Sequence, residues 1–165
     1  MAKPEAEVYA FCGDGSFLMG HSELYTALQE GLKINVCLFD NLGWGCIENL
    51  QNNQGTDTFG TVFRARNPQT GMLDGRDMTV DFAKIAEGYG AKAYTCRTSD
   101  ELRAALEDAK TQDRAVLFDI KVLPKTMTPG FESWWRVGVA EVSKSATVAA
   151  AYKDMQENIA KTFDY

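Results

Sequence analysis

Polar residues that suit a divalent cation follow two apolar runs near the amino end of the sequence. Gly13-Asp14-Gly15 comes directly after the run 8–12, and Asn41 closely follows the run 34–39. A hard cation such as Mg²⁺ takes oxygen ligands and is held by one or two carboxylates from a protein. Asp14 would provide an anionic oxygen, the Asn41 amide a neutral oxygen, and Gly43 a backbone carbonyl. These residue types therefore predict a divalent-cation site.

The same part of the chain suits a diphosphate that such a cation would hold. Gly13 and Gly15 permit a tight turn and let the main chain approach a ligand closely. The backbone N–H groups of Gly15 and Ser16, at or near a helix start, would face phosphate oxygens. Trp44 and Gly45 follow the second motif and would lie beside the diphosphate. Each motif alone is ordinary turn chemistry, so the prediction depends on the two motifs lying together.

A strand, helix and strand in succession would bring the two motifs together. Residues 8–12 and 34–39 predict buried strands, and residues 22–32 predict a helix with apolar side chains at helical spacing. Such a unit has parallel strands joined by a right-handed crossover. Both motifs then lie at the carboxyl ends of their strands, which is the edge of an open α/β sheet where ligands bind.

Helices and strands continue to alternate further along the chain. The pattern predicts an α/β fold, a three-layer sandwich with a mostly parallel central sheet. Thr79 is the predicted N-cap of one helix and Gly90 its stop, while Thr98 and Glu101 form a capping box for the next helix. The further elements are helices over 80–89 and 99–110 and strands over 91–96 and 115–122, the last one central in the sheet.

We predict a single domain over residues 1–165, with an α/β core over 1–123 and a C-terminal flap segment and helix over 124–165. Residues 48–67 predict a helical turn followed by an irregular loop. Phe59 and Phe63 are expected to pin this loop to the body of the domain.

The C-terminal segment combines an aromatic stretch with a helix. Three interpretations of the stretch containing Trp134, Trp135 and Arg136 stay open: packing on its own domain, a flap over a bound cofactor, or an oligomer contact. Residues 142–163 then predict an amphipathic helix. Its apolar stripe consists of Val148, Tyr152, Met155, Ile159 and Phe163.

Composition narrows the class of protein. A net charge of −6 argues against broad nucleic-acid binding, which needs a basic face. No apolar run is long enough to span a bilayer, so no membrane partner is expected. The four cysteines lack the paired spacing of zinc sites and indicate a reducing compartment, so we expect a cytoplasmic location.

The spacing of Gly13-Asp14-Gly15 and Asn41 resembles the signature of thiamine-diphosphate-dependent enzymes. The resemblance implies the thiamine-diphosphate-binding fold, with thiamine diphosphate and Mg²⁺ as cofactors. It also implies that Asp14, Asn41 and the carbonyl of Gly43 hold the Mg²⁺ that anchors the diphosphate. Three further segments, residues 41–47, 121–127 and 130–138, are similar to members that hydrolyse a carbon–carbon bond of a cyclic 1,2-diketone in myo-inositol degradation.

Such enzymes carry a separate pyrimidine-binding domain whose glutamate activates the cofactor. This sequence begins only a few residues before its first predicted strand. We therefore expect it to be the C-terminal part of a longer enzyme, truncated at its N-terminus, homo-oligomeric and inactive alone. The missing pyrimidine-binding domain would be its partner and a small molecule its substrate. No residue here is predicted to be a catalytic acid or base, and His21 stays open between a solvated helix start and a contact with a phosphate or a substrate oxygen.

Three alternatives stay open at this point. One is another member of the same family, such as an acetolactate-synthase-like ligase or a 2-keto-acid decarboxylase. A second is a non-catalytic thiamine-diphosphate-binding module. The third is a general nucleotide or phosphate binder, although the chain lacks the G-x-x-x-x-G-K-[ST] motif.

Overall fold

A computed structural model describes residues 5–125 and 134–163 of the chain. In these ranges it has four strands and six helices. In chain order the elements are β1 (Tyr9–Gly13), α1 (Asp14–Gly20), α2 (Ser22–Gln29), β2 (Asn35–Asp40), α3 (Gly45–Asn53), α4 (Phe82–Tyr89), β3 (Lys92–Cys96), α5 (Ser99–Ala109), β4 (Val116–Lys121) and α6 (Ala146–Ile159).

The chain forms two compact units, which we describe separately. The first unit consists of Met1–Trp44 and Asp77–Pro124 and holds the whole sheet. The second consists of Gly45–Arg76 and Lys125–Tyr165. The domain boundaries that we derived from the sequence stay a prediction.

The sheet of the first unit is entirely parallel, with strand order β1-β2-β4-β3. Its two interior strands, β2 and β4, are mostly buried, as expected of a parallel sheet covered on both faces. The predicted central position of the last strand is confirmed. In the pairing of β2 with β4, Asp40 lies beside Lys121, so the carboxyl ends of the two strands meet.

Alternate residues of the strands contact different helices, because successive side chains of a strand point to opposite faces. Phe118 and Val116 of β4 join Cys37 and Cys96 in a buried cluster, which α5 completes through Ala105 and Ala109. Helix α4 contacts β3 and β4 and buries Phe82, whose ring packs edge-on against Phe17 of α1. The α/β class with a parallel central sheet is thus confirmed.

Several predicted helix boundaries are confirmed and others are wrong. The Thr98–Glu101 capping box is present, and Gly90 ends α4 in a left-handed conformation. The N-cap of α4 is Asp81 rather than Thr79, since the Asp81 carboxylate accepts the backbone N–H of Lys84. A separate helix, α1, precedes the predicted first helix, which itself ends at Gln29.

The second unit contains α3 and α6. Thr58 donates a hydrogen bond to Glu48 of α3, and Gln51 donates to the carbonyl of Phe59. These polar contacts hold the loop after α3, whereas the Phe59 ring is 69% exposed, so the prediction that it pins the loop is wrong. Helix α6 spans Ala146–Ile159 and is shorter than predicted. Val148 and Met155 of its stripe are buried, but Phe163 lies beyond the helix and is exposed.

Gly90 and Gly88 offer a matched test of how α4 ends. Gly90 has φ 99°, and a Cβ at either glycine would have no neighbour within 4 Å. We expect Gly90→Ala to lower the free energy of unfolding by about 1 kcal/mol, because an L-residue is strained in this conformation. Gly88→Ala should instead raise it by about 0.5–1 kcal/mol, because alanine is the better helix former. Urea unfolding of both variants checks this, and a neutral Gly90→Ala would contradict it.

Candidate functional site

The carboxylate of Asp14 lies at the centre of the predicted site. Asp14 is 0% exposed and begins α1, directly after β1 ends at Gly13. The N–H of Gly15 donates to its Oδ1 (2.7 Å), while the N–H groups of Asn41 (3.1 Å) and Gly43 (3.0 Å) donate to its Oδ2. The strand, helix and strand unit thus brings the two sequence motifs into direct contact.

The turn after β2 places two more oxygen groups beside Asp14. One terminal atom of the Asn41 amide lies 2.8 Å from the carbonyl oxygen of Gly43 and 3.3 Å from Asp14 Oδ1. With nitrogen at that position, the amide donates two hydrogen bonds. With oxygen there, oxygens of three residues face one another. Asp14, Asn41 and Gly43 are therefore the residues that could hold a cation.

Leu42 gives this turn its shape. It has φ 66°, a conformation that non-glycine residues rarely adopt and that the surroundings must stabilise. Its N–H donates to Asp40 Oδ1 (3.2 Å), so the carboxylate of the last β2 residue holds the turn that carries Asn41 and Gly43.

The electrostatics of the site favour the binding of a positive charge. Burial, followed by the hydrogen bond and charge of Asp40, raises the pKa of Asp14 to about 6, although the N–H groups of Gly15 and Gly43 act in the opposite direction. Two carboxyl groups facing each other in a buried place repel when both are ionised. A cation beside Asp14 would relieve that repulsion and stabilise the ionised form.

The Trp44 indole packs directly on Gly15. A Cβ at Gly15 would lie 2.6 Å from Trp44 Cδ1 and Nε1, whereas a Cβ at Gly13 would have no neighbour within 4 Å. Gly15 is therefore required by close packing in the first turn of α1. The N–H of Gly15 was also predicted to contact a phosphate. In this structure that N–H donates to Asp14 Oδ1, and the phosphate contact stays a prediction.

We expect Gly15→Ala to displace the Trp44 indole and to lower the free energy of unfolding by about 1–3 kcal/mol, which is typical of overpacking. Alanine favours helices, so a loss would not come from the backbone of α1. The indole N–H resonance of Trp44 and urea unfolding check this expectation. Gly13→Ala is the control and should leave the resonance in place. An unshifted resonance in Gly15→Ala would contradict the packing argument.

A comparison with protein families matches residues 1–120 to the family "Thiamine pyrophosphate enzyme, C-terminal TPP binding domain". The chain belongs to this family. Its parallel sheet is therefore that of a thiamine-pyrophosphate-binding domain.

Two curated relatives and one solved structure illustrate the similarity. The 3D-(3,5/4)-trihydroxycyclohexane-1,2-dione hydrolase of Geobacillus thermodenitrificans is 62% identical over 159 residues, covering 96% of this chain and 25% of that protein. Hydrolase 1 of the same name from Bacillus cereus is 58% identical over 165 residues, covering 100% of this chain and 26% of that protein. The thiamine diphosphate-dependent 4-hydroxybenzoylformate decarboxylase of Rhodococcus jostii matches with a TM-score of 0.56 and 25% identity, covering 74% of this chain and 20% of that chain. This thiamine-pyrophosphate-binding domain thus spans about a quarter of the length of these curated relatives.

The remaining predicted residues of the thiamine-pyrophosphate-binding domain have different surroundings. Ser16 is exposed in the first turn of α1, and Gly45 begins α3 in the second unit. His21 stacks on Tyr89, and its Nδ1 lies 2.7 Å from the Tyr89 hydroxyl. Trp135 is exposed in the second unit. Most of the aromatic stretch that we predicted over 124–136 falls within residues 126–133, which lie outside the described ranges.

Sequence reasoning missed three charged residues next to the motifs. Lys121 Nζ lies 2.5 Å from Asp40 Oδ2 and 2.8 Å from Asp119 Oδ2. Together with Arg97 and Leu42, these residues line a cavity of about 440 Å³ at the carboxyl ends of β2, β4 and β3. The position of Asp40 directly before Asn41 could have pointed to a role for Asp40 near the site. Its pairing with Lys121 could not have been predicted, because it depends on the register of β2 and β4.

Two kinds of feature are absent from the described ranges: a cluster of three or more His, Cys, Asp or Glu side chains that could hold a metal ion, and a membrane-spanning helix. Residues 5–125 and 134–163 contain no group of three or more His, Cys, Asp or Glu side chains that could hold a metal ion. In the same part of the chain, no helix is long and apolar enough to cross a membrane.

Proposed function

We propose that this chain is the diphosphate- and Mg²⁺-binding part of a thiamine-diphosphate-dependent hydrolase that cleaves a carbon–carbon bond of trihydroxycyclohexane-1,2-dione in myo-inositol degradation. One observation carries the cofactor part of the proposal: the Asp14 carboxylate, the Asn41 side-chain amide and the Gly43 carbonyl converge at the carboxyl edge of a parallel sheet. The substrate part is supported by the 62% identity with a hydrolase of that name.

The spacing of these oxygen groups fits Mg²⁺. Ligand bonds of 2.0–2.1 Å at right angles separate neighbouring ligand oxygens by about 2.9 Å. The terminal Asn41 atom lies 2.8 Å from the Gly43 oxygen and 3.3 Å from Asp14 Oδ1, close to this spacing. With Mg²⁺ bound, the Asn41 amide would turn its oxygen toward the cation, and the carboxylate of Asp14 would contribute the negative charge.

The start of α1 suits the diphosphate itself. N–H groups in the first turn of a helix have no partner inside the helix, and the helix dipole favours anions there. Ser16 in this turn is exposed, and Trp44 covers the Gly15 side of the turn. Bound thiamine diphosphate would act as an electron sink for cleavage of the bond next to a carbonyl. The part played by this chain's residues is to bind and orient the diphosphate end.

Relatives favour the hydrolase over the other members of the family. The two curated hydrolases are 62% and 58% identical over 96% and 100% of the chain, whereas the decarboxylase structure is 25% identical over 74%. The non-catalytic binding module remains a second candidate, because the chain spans about a quarter of the hydrolases' length. We expect ring opening only when the rest of such an enzyme, including a pyrimidine-binding domain, is supplied.

A calorimetric titration of thiamine diphosphate into the chain, with and without Mg²⁺, tests the cofactor part. We expect saturable binding that requires Mg²⁺. ADP titrated under the same conditions should bind more weakly, which separates this proposal from a general nucleotide site. No binding by a chain that circular dichroism reports as folded would contradict the proposal for this chain.

A complementation assay tests the substrate part. The chain is mixed with the remaining portion of a related hydrolase, and ring opening of trihydroxycyclohexane-1,2-dione is followed against decarboxylation of 2-keto acids. Turnover of the cyclic dione supports the hydrolase. Turnover of 2-keto acids alone would assign the chain to a decarboxylase.

A further inference from the structure

A buried network of charges joins the carboxyl ends of β2 and β4. Lys121 Nζ bridges Asp40 Oδ2 (2.5 Å) and Asp119 Oδ2 (2.8 Å). Asp40 is 3% exposed and Asp119 is 1% exposed, so both carboxylates are out of water. The backbone N–H of Val122 also donates to the Asp40 carbonyl (3.0 Å), which fixes the two strand ends beside each other. Lys121 is thus the ammonium that compensates two buried carboxylates.

Asp40 connects this network to the turn that carries the proposed ligands. Its Oδ2 contacts Lys121, and its Oδ1 accepts the N–H of Leu42, the residue with φ 66°. Asn41 and Gly43 flank Leu42, and their own N–H groups donate to Asp14. The Asp40 carboxylate therefore holds the turn through its Oδ1, while Lys121 holds its Oδ2.

Removal of Lys121 would change the position of Asp40. A buried carboxylate without its counter-charge is strongly unfavourable, so Asp40 would turn toward water or let water into the site. Its Oδ1 would then no longer hold the Leu42 N–H, and the turn that carries Asn41 and Gly43 would lose this support.

We propose that Lys121 is a positioning residue for the cation site and acts through Asp40. This inference rests on the proposed function, because it concerns the same Mg²⁺. It assigns no contact between Lys121 and the cofactor. Its role is to keep the Asp40 carboxylate where it can hold the turn of Asn41, Leu42 and Gly43.

The first test is the apparent dissociation constant of Mg²⁺ at saturating thiamine diphosphate, measured by calorimetry for the parent and for Lys121→Met. We expect about 10–100-fold weaker Mg²⁺ binding, as is usual when a group that orients metal ligands is removed. Removal of a positive charge near a cation would by Coulomb's law alone strengthen binding. Weaker Mg²⁺ binding by Lys121→Met would therefore result from displacement of the Asp40 carboxylate and not from loss of the lysine charge.

The control for the first test is Lys110→Met. It removes the same charge from an exposed pair with Glu107 on α5 and should leave the constant unchanged. Thermal unfolding of each variant sets a temperature at which all of them are folded. An equal or tighter constant in Lys121→Met would overturn the inference.

The second test asks whether Lys121 acts through Asp40. Asp40→Asn keeps a carbonyl oxygen that can accept the Leu42 N–H but carries no charge for Lys121 to compensate. In this background we expect Lys121→Met to change the Mg²⁺ constant less than about twofold. The same substitution should still lower the unfolding temperature, because Asp119 loses its partner in both backgrounds. Equal losses of Mg²⁺ affinity in both backgrounds would overturn the coupling through Asp40.

These measurements separate the inference from the proposed function. A parent chain that does not bind thiamine diphosphate with Mg²⁺ contradicts the proposed function, and the inference is rejected with it. A parent chain that binds, together with a Lys121→Met variant that binds equally well, contradicts the inference alone.

Discussion

Asp14→Asn is expected to weaken Mg²⁺-dependent binding of thiamine diphosphate by about 100-fold or more. Asp14 supplies the carboxylate among the proposed ligands, and the other two are a neutral amide and a neutral carbonyl. Removal of one partner from a buried charged pair typically costs 3–5 kcal/mol, and each 1.4 kcal/mol is a factor of ten in affinity. Calorimetry of the variant with and without Mg²⁺ gives the loss directly.

Asparagine is the more informative replacement because the Asp14 carboxylate also stabilises the turn after β2. Its Oδ2 accepts the N–H groups of Asn41 and Gly43, and an amide oxygen can still accept both. Asp14→Ala would leave these donors without an acceptor, at a cost of about 1–3 kcal/mol each if they stay buried. The charge effect would then be mixed with a change in the turn.

Asp100→Asn is the matched control, since Asp100 is an exposed acid in the first turn of α5. It should bind thiamine diphosphate like the parent. If Asp14→Asn also binds like the parent while remaining folded, Asp14 is not a ligand and the cation site must be sought elsewhere. A loss that appears equally without Mg²⁺ would instead indicate that Asp14 acts on the fold of the turn.

Much of the fold could be predicted because the signals were local. Apolar runs indicated β1, β2 and β4, and one strand, helix and strand unit was enough to place Asp14 and Asn41 at the same sheet edge. The capping box at Thr98 and the glycine stop at residue 90 depend on a few neighbouring residues, and both are present.

Features that depend on register or on precise packing could not be predicted. The Lys121–Asp40 pair exists because β4 lies beside β2 in one register, which no local pattern specifies. Helix α1 was missed because its Gly-Asp-Gly start looks like a turn, whereas Asp14 accepts N–H groups from the β2 turn and begins the helix. Phe59 was expected to pin the loop after α3, but hydrogen bonds from Thr58 and Gln51 hold the loop instead.

The site and the core of the first unit are connected through β4. Residues Val116–Phe118 are fully buried, while Asp119 and Lys121 further along the same strand belong to the charge network. Side chains of one strand point alternately to its two faces, so Phe118 packs toward α5 and its neighbour Asp119 points toward Lys121. Correct packing of Phe118 therefore helps to set the position of the network beside the proposed ligands.

Phe118→Ala is accordingly expected to lower the free energy of unfolding by about 3–5 kcal/mol, the range for a buried phenylalanine replaced by alanine. The Phe118 ring is 0% exposed and stacks on the Tyr94 ring with their centroids 5.5 Å apart. Its removal leaves a cavity between β4 and α5 that the surrounding strands cannot easily fill. Such a loss is a large part of the 5–15 kcal/mol that usually stabilises a domain.

Urea unfolding followed by circular dichroism measures this effect, with Phe163→Ala as the control. Phe163 is 85% exposed, so its replacement should change the free energy of unfolding by no more than about 0.5 kcal/mol. A loss below about 1 kcal/mol in Phe118→Ala would mean that the β4–α5 packing does not limit stability. In that case the charge network at the end of β4 would be held by the strand pairing with β2 rather than by the core beneath it.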